Sequence, residues 1–394
     1  FSKDYEYYPR IKWFNKKNPK LVVYGMNRNQ NILDFIIVDK NGSNRILFSE
    51  NDKYYIDVHD NLRYIDNHNC FIWTSEKSGY NHVYLKNLNG NEIQITNNLI
   101  TKNDKYLSSD TDINFEMFGK WEVTKFHGID ENENIYYSGT IPFTTDSSQL
   151  NDKNLSLSTN IGSINNILYK MNISDILETW TVKDNHIPIG EVFSRNKGTN
   201  NISFSKGMKY FKNSYTDNKT PPFISLHRSL DGDIIKVLED NSEFIKSLSN
   251  YNLSQKEFFT LTTEEGVNLN AWMMKPSDFD PNKKYPLYMF LYGGPGSQQV
   301  KDSWGWFNYF WYQYLNQIGY IVACVDNRGT GGKGAEFKKM TYKELGKYET
   351  IDQINSAKYF GSLDYIDNER IGIQGWSYGG YMSSLAITKV ADVF

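Results

Sequence analysis

The sequence has few of the features that define several common protein classes. Two cysteines, Cys70 and Cys324, are too few for a disulfide framework. No apolar run reaches the roughly 18 residues of a membrane-spanning helix, and the first residues do not resemble a signal peptide. A net charge of −3 without a block of basic residues gives no general attraction to nucleic acid or to an anionic membrane. The composition therefore excludes a disulfide scaffold and predicts no nucleic-acid partner.

Aromatic residues are what the chain has in quantity, at 15% of its length, including 29 tyrosines and 23 phenylalanines. The overall hydrophobic content of 39% is low for a globular protein, and large aromatic side chains compensate because each fills much core volume. A length of 394 residues allows two or three domains. We expect folded domains with aromatic cores, no cofactor and no bound metal.

Residues 1–245 consist of short aromatic and β-branched runs separated by turn residues. Three segments, Phe35–Phe48, Val83–Ile95 and Ile224–Leu238, each read as strand, Asn-Gly or Asp-Gly, strand, the pattern of a tight hairpin. Other strand pairs precede them, and Gly42 and Gly90 recur at the spacing of a propeller blade. The pattern predicts part of a β-propeller with about four blades. A β-sandwich is the alternative.

After a linker at 246–256, residues 257–394 alternate strands with helices, which predicts a parallel sheet. We interpret this part as the N-terminal portion of an α/β-hydrolase domain. The clearest predicted elements are strands at Tyr285–Tyr292, Tyr320–Val325 and Arg370–Gln374, and helices at Phe307–Ile318, at Tyr342–Phe360 and from Tyr381 onward. Functional sites of parallel sheets lie outside the carboxyl ends of the strands. Three predicted strand ends carry distinctive residues: Tyr292-Gly-Gly, Asp326-Asn-Arg-Gly and Gly375-Trp-Ser.

Ser377 lies in a Gly-Trp-Ser-Tyr-Gly run at Gly375–Gly379. This G-x-S-x-G pattern is the elbow that presents a nucleophilic serine between a strand and a helix. The N–H after the serine, here that of Tyr378, is one oxyanion donor, and the other comes from the loop that contains Tyr292. A plain turn is the alternative interpretation of the Tyr292-Gly-Gly-Pro segment.

A serine hydroxyl is a poor nucleophile until a neighbouring base takes its proton. In α/β-hydrolases the acid and the histidine follow the serine along the chain, whereas all six histidines here precede Ser377. We therefore expect the acid and the base to lie beyond residue 394. We also expect little or no turnover from this 394-residue chain by itself.

In these residues the chain resembles the dipeptidyl peptidase IV branch of the prolyl oligopeptidase family of serine peptidases. The resemblance covers nearly the whole chain apart from polar insertions near 101–118 and 141–185. The matching stretches are Tyr8–Trp13, Val237–Asn241, Lys284–Leu287, Tyr292–Ser297, Asp326–Gly329, Asp352–Ile354 and Gly375–Tyr381.

The resemblance implies a β-propeller that caps an α/β-hydrolase domain and peptide substrates that lose N-terminal dipeptides ending in proline or alanine. It implies that Ser377 is the nucleophile and that the Tyr292 hydroxyl and the Tyr378 backbone form the oxyanion hole. Trp376 corresponds to a residue that shapes the site beside the nucleophile. Family members are usually exported or membrane-anchored, and often dimeric. The sequence itself indicates neither a compartment nor an anchor.

The glutamate pair that binds the substrate amine in this family is expected upstream of residue 1. Glu264 and Glu265 do not match that pair, and we interpret them as a solvated turn. Asp326 and Asp352 precede the serine, so we interpret them as structural. Two other hypotheses are a non-catalytic propeller protein with a vestigial hydrolase domain, and a related oligopeptidase or acylaminoacyl-peptidase.

Overall fold

The computed structural model of the chain describes residues 5–14, 18–96, 121–140, 162–182, 191–194 and 197–394. Most of the two polar insertions predicted near 101–118 and 141–185 lies outside these ranges. Within the described ranges, the first part of the chain folds into four antiparallel sheets of four strands, and the second part folds into one five-stranded sheet with helices.

The four antiparallel sheets follow one another along the chain, and within each sheet the strands pair in sequence order. The first sheet contains β1 (Ile11–Phe14), β2 (Lys20–Met26), β3 (Ile32–Val38) and β4 (Asn44–Asn51). The second contains β5 (Arg63–Ile65), β6 (Cys70–Ser75), β7 (His82–Asn87) and β8 (Glu92–Gln94). The third contains β9 (Val123–Ile129), β10 (Asn134–Gly139), β11 (Ile167–Asn172) and, after helix α1 (Ile173–Val182), β12 (Glu191–Val192). The fourth contains β13 (Thr199–Phe204), β14 (Tyr210–Thr216), β15 (Phe223–Arg228) and β16 (Ile234–Glu239).

The three hairpins predicted from Asn-Gly and Asp-Gly are present as β3–β4, β7–β8 and β15–β16. Their glycines have positive φ values, 83° at Gly42, 94° at Gly90 and 77° at Gly232. Residues other than glycine rarely adopt this conformation, which explains why the dipeptide marks the turn.

Aromatic cores lie between consecutive sheets. Phe35 of the first sheet packs edge-on against Trp73 of the second, with ring centroids 4.6 Å apart. The second and third sheets share a core that includes Ile72 and Tyr137, and Tyr136 and Phe211 belong to a core between the third and fourth. A sandwich would have a single core between two sheets. The alternative of a β-sandwich is therefore wrong, and the sheets are consecutive blades of a β-propeller.

Helix α2 (Ser242–Leu248) follows the last blade, and the α/β part comes after it. This part contains β17 (Lys256–Thr262), β18 (Asn268–Met274), β19 (Tyr285–Leu291), α3 (Trp306–Gln317), β20 (Ile321–Asp326), α4 (Gly334–Lys339), α5 (Tyr348–Gly361), β21 (Ile366–Gly375) and α6 (Tyr378–Lys389). The strand order is β17-β18-β20-β19-β21. Among the described helices, none has the length and apolar character to cross a membrane.

Two details of this part differ from the sequence prediction. The sheet is mixed, because the hairpin β17–β18 runs antiparallel and only β20, β19 and β21 are parallel. The helix predicted from Tyr342 begins only at Tyr348. The segment before it turns through positive φ values at Lys343 (61°) and Gly346 (83°), and a right-handed helix cannot contain such residues.

Candidate active site

The carboxyl ends of three strands meet at one edge of the sheet, because β20, β19 and β21 are parallel neighbours. The loops that follow β19 and β20 are hydrogen-bonded to each other. The Asn327 side chain donates to the Gly293 carbonyl oxygen at 3.1 Å, and the Gly296 N–H donates to the Gly329 carbonyl at 2.8 Å. The structure thus brings together the three strand ends that the sequence singled out.

Ser377 occupies the turn between β21 and α6, with φ 56° and ψ −116°. This backbone conformation is strained for a residue with a Cβ, at a cost of about 1–3 kcal/mol. The Gly379 N–H closes the turn by donating to the Trp376 carbonyl at 2.9 Å. The serine is exposed, and its hydroxyl makes no hydrogen bond to another described residue. A strained turn that presents an exposed hydroxyl is the geometry of a nucleophile elbow.

The glycines that flank the elbow are required by close backbone packing against β19. A Cβ on Gly375 would lie 2.5 Å from the Leu291 carbonyl oxygen. A Cβ on Gly379 would come closer still to the same oxygen. Neither distance is compatible with a side chain, so both positions of the motif need glycine.

Tyr292 and Tyr378 face each other across a narrow gap, with ring centroids 6.3 Å apart and planes inclined by 38°. Gly294 lies between them: a Cβ there would be 2.8 Å from Tyr292 Cε1 and 3.2 Å from Tyr378 Cγ. Both tyrosines are half-buried. The Tyr292 hydroxyl makes no hydrogen bond to any other described residue, so it is available to a ligand at this edge.

The backbone N–H of Tyr378 is the first of α6 and makes no hydrogen bond within the described chain. The first N–H groups of a helix have no intrahelical acceptor, and together with the helix dipole they favour an anion. This donor follows Ser377 directly. An oxyanion that forms on a group attached to the serine could therefore be stabilised by it.

The Tyr378 hydroxyl donates to Glu349 Oε1 at 2.6 Å. The other carboxylate oxygen, Oε2, accepts the Gly346 N–H at 3.0 Å. Glu349 is completely buried. Burial, together with the hydrogen bond to this carboxylate, raises the pKa of the Tyr378 phenol above its ordinary value. No motif in the sequence marks Glu349 as part of this site.

Trp376, predicted to shape the site, lies on the outer side of the elbow with 81% of its surface exposed. The structure places it beside Ser377 along the chain. An exposed aromatic ring at this position offers an apolar surface to a bound molecule.

The two aspartates interpreted as structural have structural partners. Asp326 accepts the N–H groups of Gln299 and Val300, each at 2.9 Å, and burial raises the pKa of this carboxyl to about 6. Asp352 binds the Arg328 guanidinium at 2.7 Å. Glu264 and Glu265 are exposed residues of the turn between β17 and β18, as interpreted, and Glu265 also pairs with Arg328 at 2.7 Å.

No histidine hydrogen-bonds to Ser377 within the part of the chain that the structure describes. The five histidines in that part all lie in the propeller: His59, His68, His82, His127 and His227. Nor do the described histidines, cysteines, aspartates and glutamates form a group of three that could hold a metal ion. The described residues thus present an exposed serine hydroxyl beside hydrogen-bond donors that have no acceptor among them, without a histidine at Ser377.

Two family models match the chain. The model of the dipeptidyl peptidase IV (DPP IV) N-terminal region matches residues 1–222, and that of the prolyl oligopeptidase family matches residues 306–394. Probable dipeptidyl peptidase 4 of Aspergillus flavus is 27% identical over 395 residues, which is 98% of this chain and 45% of that protein. Human prolyl endopeptidase FAP is 40% identical over 174 residues, 44% of this chain and 22% of that protein.

Among solved structures, the crystal structure of Porphyromonas gingivalis dipeptidyl peptidase 4 aligns with 100% of this chain and 48% of its own, with a TM-score of 0.79 and 31% identity. The chain therefore spans about half the length of the relatives that it matches from end to end. The N-terminal-region model alone matches more than half of the residues. The chain belongs to the dipeptidyl peptidase IV branch of the prolyl oligopeptidase family.

Proposed function

We propose that the whole protein containing this chain is a serine exopeptidase that releases N-terminal dipeptides, with proline or alanine as their second residue. The observation that carries the proposal is the exposed Ser377 hydroxyl in a strained elbow, next to the unpartnered N–H of Tyr378. The names of relatives over the full chain, dipeptidyl peptidase 4 from a fungus and from a bacterium, support the same activity.

In this proposal Ser377 Oγ attacks the carbonyl carbon of the second substrate residue while a base takes the serine proton, and an ester to the dipeptide forms as the amine leaves with that proton. The negative oxygen of the tetrahedral intermediate accepts hydrogen bonds from the Tyr378 N–H and the Tyr292 hydroxyl. Trp376 forms one wall of the site. Water then cleaves the ester and restores the serine.

The base is proposed to be a histidine oriented by an acid, because a serine needs such a partner and no described histidine bonds to Ser377. Since the chain covers less than half of its relatives, we assign this pair and the amine-binding glutamates to the rest of the whole protein. We also propose that residues 1–245 are part of the propeller, 246–256 the linker and 257–394 part of the catalytic domain. We also propose that the whole protein forms a homodimer and is exported or anchored to a membrane.

The test is hydrolysis of Gly-Pro-p-nitroanilide by the whole protein and by its Ser377→Ala variant. We expect the variant to lose activity by about 10³-fold or more. The matched control is Ser384→Ala, which removes an exposed hydroxyl from the same helix and is expected to keep full activity. Labelling by a fluorophosphonate should modify the parent at Ser377. Undiminished hydrolysis by Ser377→Ala would contradict the proposal.

The match to human prolyl endopeptidase FAP, 40% identical over 174 residues, makes cleavage within a chain the second candidate. An N-blocked substrate, such as benzyloxycarbonyl-Gly-Pro-p-nitroanilide, separates the two. An exopeptidase that grips the free amine should hydrolyse only the unblocked compound. Comparable rates on both compounds would favour the endopeptidase.

A further inference from the structure

Glu349 is a buried carboxylate that the proposed reaction does not use. It lies in the first turn of α5, with its side chain entirely out of contact with solvent. One oxygen accepts the Tyr378 hydroxyl at 2.6 Å and the other accepts the Gly346 N–H at 3.0 Å. Burying a carboxylate is costly unless its oxygens are hydrogen-bonded, so both of these contacts are needed to keep it in place.

We propose that Glu349 is a positioning residue, which holds the phenol of Tyr378 and thereby fixes the direction of the Tyr378 N–H. This inference rests on the proposed function, in which that N–H binds the oxyanion. Glu349 does not contact substrate in this scheme. It acts only through the tyrosine.

The Tyr378 phenol and the Tyr378 N–H are joined through the α-carbon of the same residue. The ψ angle of Ser377, −116°, sets the plane of the peptide that joins Ser377 to Tyr378. That angle lies in a sparsely populated region, and such conformations persist only where the surroundings hold them. The side chain of Tyr378 is attached to the α-carbon at the far end of the same peptide. Holding its ring therefore restrains the peptide itself.

Besides the facing Tyr292 ring, three contacts within the described residues hold the Tyr378 ring. The backbone of Gly294 lies against one part of it, and the Tyr381 ring packs edge-on at 5.5 Å between centroids. These two contacts are apolar and allow the ring to slide. The hydrogen bond to Glu349 is charge-assisted and directional, so it is the contact that selects one ring position.

Glu349 is itself well anchored. A carboxylate in the first turn of a helix is favoured by the helix dipole. The Thr350 hydroxyl donates to the Gly346 carbonyl at 2.6 Å. This bond closes the turn that contains Gly346, whose N–H donates to Glu349. Gly346 has a φ of 83°, a value that suits glycine. The anchor is thus part of a rigid turn rather than a mobile side chain.

A positioning role and a merely structural role make different predictions. Loss of a structural contact lowers the melting temperature and leaves the properties of the folded enzyme unchanged. Loss of a positioning contact misdirects an oxyanion donor, which matters in the transition state and hardly at all in the ground state. The kcat should then fall while KM stays constant.

The experiment compares Tyr378→Phe, Glu349→Gln and the double variant in the whole protein, with Tyr381→Phe as the matched control. Tyr381 lies on the same turn of α6, and phenylalanine there keeps the ring that packs on Tyr378 and removes a hydroxyl whose contact to the Leu345 carbonyl is long, at 3.4 Å. We expect Tyr378→Phe to lower kcat about 10-fold with KM within about twofold. The double variant should be no worse than the poorer single variant, because both substitutions weaken or remove the same hydrogen bond between Tyr378 and residue 349.

Ligand binding supplies a readout that does not depend on turnover. A dipeptide boronate, which forms a tetrahedral adduct with the serine, should bind about 10-fold more weakly to Tyr378→Phe. The dipeptide Gly-Pro should bind unchanged. If Tyr378→Phe does not fold, the same pair of measurements on Glu349→Gln decides the question.

Normal kcat and boronate affinity in both single variants would overturn the positioning role, as would equal losses in the Tyr381→Phe control. These results would leave the proposed function intact as long as Ser377→Ala is inactive. Activity in Ser377→Ala would instead remove the proposed function, and this inference with it.

Discussion

Lys339 of α4 is buried at the boundary between the two domains, where it pairs with Asp52 of the propeller at 2.6 Å. Only 2% of its side chain is exposed. Glu76, on the second blade, also binds Lys339, at 2.8 Å, and binds the neighbouring Lys338. Helix α4 follows the loop at Gly329 that is hydrogen-bonded to the Tyr292 loop. These ion pairs therefore attach the propeller to the side of the α/β part that carries the candidate site.

We predict that Lys339→Met destabilises the protein by about 3–5 kcal/mol, because it leaves the poorly solvated Asp52 without its cation and removes one of the two cations that bind Glu76. Urea unfolding of the whole protein measures the change. Lys53→Met is the matched control: it removes an interdomain pair with Glu336 in which both side chains are more than half exposed. Its expected effect is within about 1 kcal/mol. Equal effects of the two substitutions would contradict the importance of burial.

Gly294→Ala should lower activity by about 10- to 100-fold, because the new Cβ pushes apart Tyr292 and Tyr378. The backbone of Gly294 does not have a positive φ, so alanine is tolerated by the main chain and the effect is steric. Steady-state kinetics on a Gly-Pro amide measure it. Gly372→Ala is the control, since its Cβ would meet no atom closer than 3.9 Å. Unchanged kinetics for Gly294→Ala would show that the tyrosine pair tolerates displacement.

Ser377→Gly and Ser377→Ala should both be inactive but should differ in stability. Glycine accepts φ 56° and ψ −116° without strain, whereas alanine keeps the Cβ that causes it. We expect the glycine variant to be more stable than the alanine variant by about 1 kcal/mol. Thermal unfolding monitored in parallel measures the difference. A more stable alanine variant would mean that the elbow is not strained.

The propeller should lose stability in mild acid. Burial lowers the pKa of His59 and His82 to about 4 and that of His127 to about 3, from an ordinary value of 6.5. Unfolded chains therefore bind more protons than the folded protein below pH 6.5, and the free energy of unfolding falls as the pH drops. Each histidine contributes at most about 2 kcal/mol between pH 7.5 and 5.

Melting curves at these two pH values check this expectation, and His127→Gln should reduce the difference. The His127 ring bonds to the Ser138 hydroxyl at 2.8 Å, which a neutral amide can replace. Asp326 acts in the opposite direction, because its raised pKa makes the folded state bind a proton near pH 6. A melting temperature that does not decrease from pH 7.5 to 5 would contradict the histidine argument.

The features predicted from sequence are those encoded by neighbouring residues. The hairpin at Gly42 and the elbow at Ser377 each depend on a few consecutive side chains and one special backbone angle, so a short run of sequence identifies them. Glu349 was missed because its partner, Tyr378, lies on a different helix, and no periodicity relates the two. The Lys339 ion pair could not be predicted for the same reason, because its partner lies on a blade far away along the chain. Gly346 disfavours a helix at its position, and this signal in the sequence indicates that α5 begins after it.

Each aromatic core of the propeller lies between two neighbouring blades and contains residues of both. Phe35 and Trp73 belong to different blades yet to one cluster, as do Tyr136 and Phe211. Unfolding of one blade therefore exposes the core residues that its two neighbours bury against it. The neighbouring blades then lose part of their own packing. We therefore expect that neither heating nor limited proteolysis unfolds one blade separately. The described blades should unfold together as one cooperative unit.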